Sequence, residues 1–341
     1  MTYYRGASLV SILVCAAFLA TACNVATSAS PNSPSPTAGA GPGAAGSGGT
    51  GPDEDGPAGP PPEPGSPPSS GPGLSGPPPV VGSGSAVLVG AGDIGWCGSP
   101  GMAQTARVVD AIQGSVFLAG DLAYMNGTLD DYRRCFDPDW GRFRSRWRPV
   151  PGNHEYTDGA NGYFSYFGGA AGAGREGYYA FRAATWHVLM LNSEAPITRG
   201  TPQYAWVERE LRDNRTRCTA AVWHKPFASS GPNGLNGQLR DMWELLHRNG
   251  AEVVISGHDH FYERFAPQDH DYRYTPAGIR QFIAGTGGAS LYHPATRGPN
   301  TEAVVEAFGV LKLTLNPTNY EWEFIEASTG RAVDRGAEAC H

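Results

Sequence analysis

The sequence lacks an excess of positive charge. Its 25 Lys and Arg residues are outnumbered by 32 Asp and Glu residues, which gives a formal net charge of −7. Proteins that bind nucleic acid usually carry a basic stripe, often with aromatic side chains for base stacking, and neither pattern occurs here. We therefore expect no nucleic-acid partner.

Long hydrophobic runs are also missing. Residues 1–22 contain one apolar stretch of about a dozen residues, which is too short for a membrane span of roughly 20. We interpret residues 1–22 as an export signal, because small residues follow the apolar stretch. "LATAC" is similar to a bacterial lipobox with Cys23 as the lipidated residue, whereas "ATA" is also an acceptable secretory cleavage site. A bacterial cell-surface lipoprotein, anchored to the membrane only through Cys23, and a secreted protein both stay open.

Large apolar side chains are almost absent from residues 23–84. This segment consists mainly of Gly, Pro, Ser and Ala and holds 16 of the 29 prolines. Such a segment cannot bury enough apolar surface to offset the entropy lost on ordering, so we expect a disordered linker. Residues 85–341 contain the other 13 prolines, an ordinary fraction for a globular protein. We expect them to form one folded domain.

No C-x-x-C pair occurs in the chain. The cysteines beyond the signal are Cys97, Cys135, Cys218 and Cys340, an even number in a protein expected to be exported. We predict two disulfides rather than a metal site, because the paired spacing typical of zinc ligands is missing. Of the three possible pairings we prefer Cys97 with Cys135 and Cys218 with Cys340, since Cys97 and Cys135 each closely follow a predicted site strand.

Apolar and amphipathic segments alternate along the folded part. The apolar segments, which predict strands, are residues 85–93, 115–121, 185–193, 218–224, 251–258 and 278–288. The segments with helical spacing are residues 101–114, 203–214 and 237–250. The tail from 308 to 333 alternates like a β-meander. The alternation indicates an α/β fold.

Polar side chains follow several of the predicted strands directly. These residues are Asp93, Asp121, Asn153, His224, His258 and His260. An isolated Gly-Asp after a strand is usually a turn or a helix cap, and an isolated histidine is usually a packing residue. Six such groups at strand ends, where α/β sheets gather their ligand sites, instead match the oxygen and imidazole donors of a two-metal site.

Five short blocks carry a family resemblance. They are "GDIG" (92–95), "GDLAY" (120–124), "GNHE" (152–155), "VWH" (222–224) and "GHDH" (257–260). In this order they resemble the signature of the calcineurin-like metallophosphoesterases, in the purple acid phosphatase variant. Gly95 stands where most members have a metal-binding histidine, and Tyr124 takes over that role in the variant. The resemblance implies an α/β sandwich of two β-sheets packed face to face and flanked by helices, in four layers.

The resemblance also implies a role for each matching residue. One metal ion would be held by Asp93, Tyr124 and His260. The second would be held by Asn153, His224 and His258, and Asp121 would bridge both. The catalytic His154 would donate a proton to the leaving alcohol or hold the phosphate. Asp259 would face away from the site, because alternate side chains of an extended segment point to opposite sides.

The ions implied are Fe(III) with a divalent Zn, Mn or Fe ion. They would lower the pKa of a bound water and present hydroxide to the phosphorus atom of a small phosphoester. We favour an exported phosphomonoesterase. A phosphodiesterase or nucleotide hydrolase is one alternative, and a surface-anchored binding module without turnover is another. The binding module is disfavoured because all seven ligand positions hold residues that can bind a metal ion. The oligomeric state stays open.

One departure from the family pattern concerns the substrate pocket. Purple acid phosphatases commonly carry a further histidine a short way beyond the position of His224, but "KPFASSGPNG" follows here and contains none. Lys225 could instead place a positive charge near the phosphate, or face solvent.

Overall fold

The computed structural model describes residues 84–341. The predicted signal, the linker up to residue 83 and Cys23 lie outside this range. The strands of the described part are β1 (Ala86–Ala91), β2 (Ser115–Ala119), β3 (Trp147–Val150), β4 (Tyr179–Ala183), β5 (Trp186–Met190), β6 (Thr219–Val222), β7 (Ala251–Ser256), β8 (Tyr262–Phe265), β9 (Arg280–Ala284), β10 (Thr301–Val305), β11 (Gly309–Leu315), β12 (Asn319–Glu326) and β13 (Arg331–Ala339).

The α-helices are α1 (Pro100–Asp110), α2 (Leu129–Asp131), α3 (Asp137–Trp140), α4 (Asn161–Phe167), α5 (Pro202–Asp213) and α6 (Arg240–Arg248). A π-helical turn at Tyr132–Phe136 joins α2 to α3. Single 3₁₀ segments occupy Gly141–Arg146, Glu155–Asp158, Gly168–Ala171 and Gly237–Leu239. No helix within residues 84–341 combines the length and the apolar character needed to cross a bilayer.

The strands form two mixed sheets. The first has the order β13-β12-β11-β1-β2-β3, and the second has the order β10-β8-β9-β7-β6-β5-β4. In the first sheet β1, β2 and β3 are parallel, and in the second β5, β6, β7 and β9 are parallel. The predicted meander is confirmed, because β11, β12 and β13 pair antiparallel in sequence.

The two sheets pack face to face, and alternation along each strand sorts side chains between layers. Leu88 of β1 and Val188 of β5 belong to the core between the sheets. Their neighbours point the other way: Val89 packs with α1 on the outside of the first sheet, and Leu189 packs with α5 and α6 on the outside of the second. The result is the predicted four-layer sandwich.

Two disulfides join separate parts of the described chain. Cys97, which follows β1, is bonded to Cys135 in the π-helical turn, and Cys218, just before β6, is bonded to Cys340 after β13. This is the pairing preferred from the sequence. The first bond fixes the loop after β1, and the second ties the end of the first sheet to the second sheet.

Candidate metal centre

The candidate site lies at the carboxyl ends of the parallel strands of both sheets, which we call the site edge. Asp93 follows β1, Asp121 follows β2, and His258 follows β7. The backbone φ angles of these three residues are 59°, 51° and 71°. Residues other than glycine rarely adopt this left-handed region, so each turn carries a cost in conformational free energy. The strained turns direct three polar side chains into one space between the sheets.

Glycines before the site residues leave room for this convergence. A Cβ atom on Gly120, whose φ is +82°, would lie 2.4 Å from the imidazole of His224. A Cβ atom on Gly257 would lie 2.5 Å from the Oδ2 atom of Asp93. The Gly-Asp and Gly-His pairs seen in the sequence are therefore required by close packing around the site side chains.

One cluster of donor atoms, the first donor group, consists of Asp93, Tyr124 and His260. The Tyr124 hydroxyl lies 2.9 Å from Oδ1 of Asp93 and 3.1 Å from Nε2 of His260. The Nε2 and Oδ1 atoms are themselves 3.2 Å apart. All three side chains are at least nine-tenths buried. The structure thus brings together the three residues that the resemblance assigns to one ion.

A second donor group consists of Asn153, His224 and His258. The Nε2 atom of His224 lies 3.2 Å from Oδ1 of Asn153 and 3.2 Å from Nδ1 of His258. His224 is fully buried, whereas Asn153 and His258 are partly exposed. This side of the site is therefore the more open to solvent.

Asp121 lies between the two donor groups. Its Oδ2 atom is 3.3 Å from the Tyr124 hydroxyl of the first group and 3.2 Å from Nε2 of His224 in the second. Its Oδ1 atom accepts the backbone N–H of His154 at 2.9 Å. One carboxylate oxygen is therefore in reach of both donor groups.

Hydrogen bonds to backbone carbonyls fix the orientation of two of the histidines. Nδ1 of His224 donates to the carbonyl of Ala119 at 2.8 Å, and Nδ1 of His260 donates to the carbonyl of Ser290 at 2.7 Å. In both rings Nε2 is therefore left as the unprotonated nitrogen of the neutral form, which is the form that binds metal. The ring of Tyr292 stacks on His260 at 4.2 Å between centroids and supports it from outside.

Glu155 is a supporting residue that the sequence analysis missed. Its buried carboxylate accepts the backbone N–H groups of Asp121, Leu122 and Gly152 at 2.8–2.9 Å and the Tyr132 hydroxyl at 3.0 Å. It thereby holds the turn after β2 against the turn after β3. Burial first, and then the charge of Asp121, raises its pKa to about 7. The only signal in the sequence is its place in the "GNHE" block.

The carboxylates attract positive charge into the site. Burial alone would lower the pKa of His224, but Asp121 and then Asp93 outweigh it and raise that pKa to about 10. Burial would raise the pKa of Asp121, but His224 followed by His154 holds it well below its usual range. Burial, then Asp93 and Asp121, raises the pKa of the Tyr124 phenol well above 10. A phenolate at Tyr124 therefore needs a cation beside it.

His154 and Lys225 border this cluster in different ways. Nδ1 of His154 donates to the carbonyl of Met125 at 2.6 Å, so Nε2 points toward the site and lies 3.8 Å from Oδ2 of Asp121. Lys225 follows the ligand position His224, but its ammonium group pairs with Glu194 at 2.5 Å. The Lys225 charge is thus neutralised within the protein.

The donor atoms fit a pair of metal ions. Oxygen and imidazole donors suit iron, zinc and manganese, and two-metal hydrolases hold their ions about 3.5–4 Å apart with shared ligands. Asp121 lies between the two donor groups and so can serve as a shared ligand, and the donor atoms of Asp121, His224 and His258 all lie within 4.8 Å of one another. Gly95 offers no side chain, and a Cβ atom there would lie 2.4 Å from the carbonyl oxygen of Leu122. A side chain at position 95 would therefore require the backbone at Leu122 to shift, and Tyr124 supplies the donor oxygen on this side of the site.

The fold and the donor set define a phosphoesterase-type α/β sandwich, and the similarity of the sequence to a known protein family agrees with this. The family model of the calcineurin-like phosphoesterases matches residues 87–262. The chain belongs to the calcineurin-like phosphoesterase family. The matched range contains all five blocks on which the resemblance was based.

Several purple acid phosphatases are similar to this chain. Purple acid phosphatase 21 of Arabidopsis thaliana is 30% identical over 235 residues, which cover 60% of this chain and 52% of the relative. Purple acid phosphatase 1 of Ipomoea batatas is 26% identical over 266 residues, which cover 71% of this chain and 54% of the relative. The chain spans about half the length of the curated relatives it matches.

A solved structure supports the fold. The purple acid phosphatase from yellow lupin (Lupinus luteus) seeds superimposes with a TM-score of 0.63 at 22% identity, covering 76% of this chain and 54% of the lupin chain. The expected two-sheet sandwich is confirmed by this match.

Proposed function

We propose that the protein is a phosphomonoesterase whose seven donor residues hold two metal ions. The observation that carries this proposal is the position of Asp121, whose Oδ2 atom lies 3.3 Å from the first donor group and 3.2 Å from the second. A carboxylate placed in this way suits a ligand shared by two ions. Bound there, the ions would supply an activated water as the nucleophile and charge to offset that developing on the phosphoryl group.

His154 is proposed to act on the leaving group. Its Nε2 atom faces the site at the side of Asp121, and its Nδ1 proton is held by the Met125 carbonyl. The ring can therefore present Nε2 to a substrate oxygen without losing its orientation. In this role the ring, protonated on both nitrogens, gives its Nε2 proton to the oxygen of the leaving alcohol, or holds the phosphate through a hydrogen bond from Nε2.

The metal pair is proposed to be Fe(III) with a divalent Zn, Mn or Fe ion. Tyr124 supports trivalent iron in the first donor group, because a hard phenolate oxygen stabilises that ion and charge transfer between them absorbs visible light. An aerobically purified, iron-loaded preparation should be pink to violet. Tyr124→Phe keeps the ring and removes the oxygen, so the colour should disappear and binding at the first donor group should weaken. A coloured Tyr124→Phe protein would contradict the assignment of Tyr124.

Export is part of the proposal. The two disulfides suit an oxidising compartment outside the cytoplasm. We propose that residues 1–22 act as the export signal, that residues 23–84 form a linker ahead of the catalytic domain at 85–341, and that Cys23 is lipidated. Mass spectrometry of the mature N-terminus after expression in a bacterial host would separate a lipidated Cys23 from an unmodified, freely secreted form.

One experiment separates the candidate activities. Full-length protein is purified, its metal content is measured, and the same sample is assayed with para-nitrophenyl phosphate and with the bis-ester of the same alcohol. We expect two metal ions per chain and faster turnover of the monoester. Faster turnover of the bis-ester would favour a phosphodiesterase. Two bound ions without turnover of either ester, or of a wider phosphoester panel, would favour a binding module.

A further inference from the structure

A small cavity adjoins the open side of the candidate metal centre. Its volume is about 220 Å³, and its lining includes His258 of the second donor group. The other lining residues are Lys225, Pro226, Asn233, Leu235, Asn236 and Gly237. Ligand pockets for drug-sized molecules start at about 300 Å³, so this cavity suits a smaller group. Most of its wall comes from the segment after β6.

The residues from 229 to 237, which we call the wall segment, are fixed to the second sheet at their base. Fully buried Gln281 of β9 accepts the backbone N–H groups of Phe227 and Ala228 at 3.0 and 3.2 Å. Glu263 of β8, also fully buried, accepts the backbone N–H of Ser230 at 2.9 Å. These bonds hold Ser230 and the two residues just before the wall segment, but not the part that borders the cavity.

The middle of the wall segment is held by Asp259, whereas Asn236 near its end donates its backbone N–H to the carbonyl of Phe227 at 2.8 Å. The carboxylate of Asp259 is fully buried, and its Oδ1 atom accepts the side-chain N–H of Asn233 at 2.6 Å. The backbone of the wall segment also packs directly on this carboxylate, because a Cβ atom on Gly231 would lie 2.9 Å from Oδ2 of Asp259. Asp259 therefore faces away from the metal centre, as its place between His258 and His260 predicts, and contacts the wall segment.

The charge pattern of the cavity indicates what it accepts. The one cationic side chain of the lining, Lys225, is already paired with Glu194, so this side chain is not free to hold a second anionic group on a substrate. Asn233 and Asn236 offer amide groups that hydrogen-bond to hydroxyl groups. Pro226 and Leu235 add an apolar border. These features favour a small, neutral, hydroxyl-bearing group.

We propose that Asp259 is a positioning residue that clamps the wall segment through Asn233, and that the clamped cavity receives the neutral, hydroxyl-bearing leaving group of a small phosphomonoester. This inference rests on the proposed phosphomonoesterase function. It assigns Asp259 to substrate selection through the wall segment, and not to metal binding or to proton transfer.

The first test measures the clamp without any turnover. Deuterium exchange of peptides covering residues 229–237 is compared between the full-length wild-type protein and the variants Asp259→Ala, Asn233→Ala and Gly231→Ala. We expect faster exchange in this segment in all three variants, because local opening becomes easier. Asp259→Asn keeps an acceptor for Asn233 and should restore slow exchange. Gly169→Ala, at a glycine with open space around it, is the matched control. Unchanged exchange in Asn233→Ala and Gly231→Ala would overturn the clamp.

The second test measures substrate selection. Glycerol 3-phosphate and 3-phosphoglycerate share a three-carbon skeleton. The first ends in a neutral hydroxymethyl group, and the second ends in a carboxylate. We expect wild-type kcat/KM to favour glycerol 3-phosphate by roughly 10-fold, at the low end of what a pocket contact contributes. The preference should fall toward 1 in Asp259→Ala, mainly through KM and with the metal content unchanged. The preference should return in Asp259→Asn. The double variant Asp259→Ala with Asn233→Ala should lose no more of the preference than either single variant.

The outcomes keep the two proposals apart. A wild-type protein that holds two metal ions but releases phosphate from no ester would contradict the proposed function, while the exchange experiment would still decide on the clamp. An active wild-type protein with no preference between the two esters, or one whose preference survives Asp259→Ala and Asn233→Ala, would overturn the inference about Asp259 and leave the proposed function standing.

Discussion

The site edge and the opposite edge of the second sheet are built in contrasting ways. At the site edge, buried polar side chains converge from several strand ends, and Asp93, Asp121 and His258 sit in left-handed turns. At the opposite edge, where β5, β6 and β7 begin, the Cys218–Cys340 disulfide joins the residue before β6 to the residue after β13, and His341 pairs with Glu252. Three of the six non-glycine residues with left-handed φ angles in the described chain lie at the site edge, where the Cys97–Cys135 disulfide also fixes the loop after β1. The Cys218–Cys340 disulfide joins the two sheets at the opposite edge.

The contrast shows how the strained site can persist. Residues in left-handed turns cost on the order of 1–3 kcal/mol each and survive only where the surroundings enforce them. At the site edge this enforcement comes from Glu155, which accepts four backbone N–H groups, and from glycines that leave room for the candidate ligand side chains. Changes at the two edges should therefore have separable effects, on activity at one and on stability at the other.

The largest effect is expected for Asp121→Ala at the site edge. Without the shared carboxylate, two cations would repel each other across a short gap, so occupancy of both donor groups should fall and nearly all phosphoesterase activity should be lost. Metal analysis and a phosphomonoester assay on the folded variant measure this. Asp110→Ala, at an exposed aspartate on α1, serves as the control and should keep both. Two tightly bound ions in Asp121→Ala would count heavily against the assignment.

The next effect is expected for His154→Ala. Both metal ions should stay, because His154 belongs to neither donor group, while turnover should fall by roughly 10²- to 10⁴-fold, the usual contribution of a general acid. An ester with a good leaving group should lose much less, since that alcohol needs no proton. His247→Ala on α6 is the matched control. Equal losses for good and poor leaving groups would rule out the acid role.

How far these residues could be predicted from the sequence differs between the ligands and their supports. Four of the candidate ligand positions could be recognised because each follows a Gly just after an apolar segment, namely Asp93, Asp121, Asn153 and His258. Tyr124 was assigned only through the family resemblance. Glu155 could not be recognised, because a carboxylate that binds backbone N–H groups leaves no spacing pattern in the sequence. The pairing of Lys225 with Glu194 was equally hidden, because their contact depends on two loops meeting.

The secondary structure is likewise divided between elements that the sequence predicted and elements that it did not. The predicted strands and helices with strong periodicity were found with small shifts in their ends, as for α1, which ends at Asp110 rather than at residue 114. The short strands β3, β4, β8 and β10, the helix α4 and the helices between Leu129 and Trp140 were not predicted. Their aromatic and arginine side chains pack by tertiary contact, as in the stacked Tyr132 and Tyr166, and not by a repeating apolar pattern.

A change at the opposite edge should lower stability and leave turnover nearly unchanged. Replacing Cys218 and Cys340 together by Ser removes a bond that closes a loop of 122 residues, which should lower the free energy of unfolding by about 2–4 kcal/mol. Turnover well below the unfolding temperature should stay near the wild-type value. Urea unfolding and a phosphomonoester assay on one preparation measure both. A large loss of turnover in the folded variant would show that the two edges are coupled.

The smallest effect concerns acid stability at His187, which lies at the start of β5. Burial, and then the charge of Arg182, lowers its pKa to about 4 even though its Nε2 atom lies 3.3 Å from Oε2 of Glu210. Between about pH 6.5 and 4 the unfolded chain therefore binds a proton that the folded protein does not. Stability from this residue is therefore present above pH 6.5 and is lost as the pH falls toward 4. In His187→Gln the fall in unfolding free energy over this range should be shallower, by about 1–3 kcal/mol. Urea titrations from pH 7 to 4 would show it, and parallel curves would contradict the assignment.

Anomalous X-ray diffraction from crystals of the metal-loaded protein would test the central claim most directly. We expect two anomalous peaks, one among Asp93, Tyr124 and His260 and the other among Asn153, His224 and His258, with Asp121 in contact with both. A single peak, or peaks outside these two donor groups, would contradict the proposal that this edge of the sandwich holds a dinuclear metal centre.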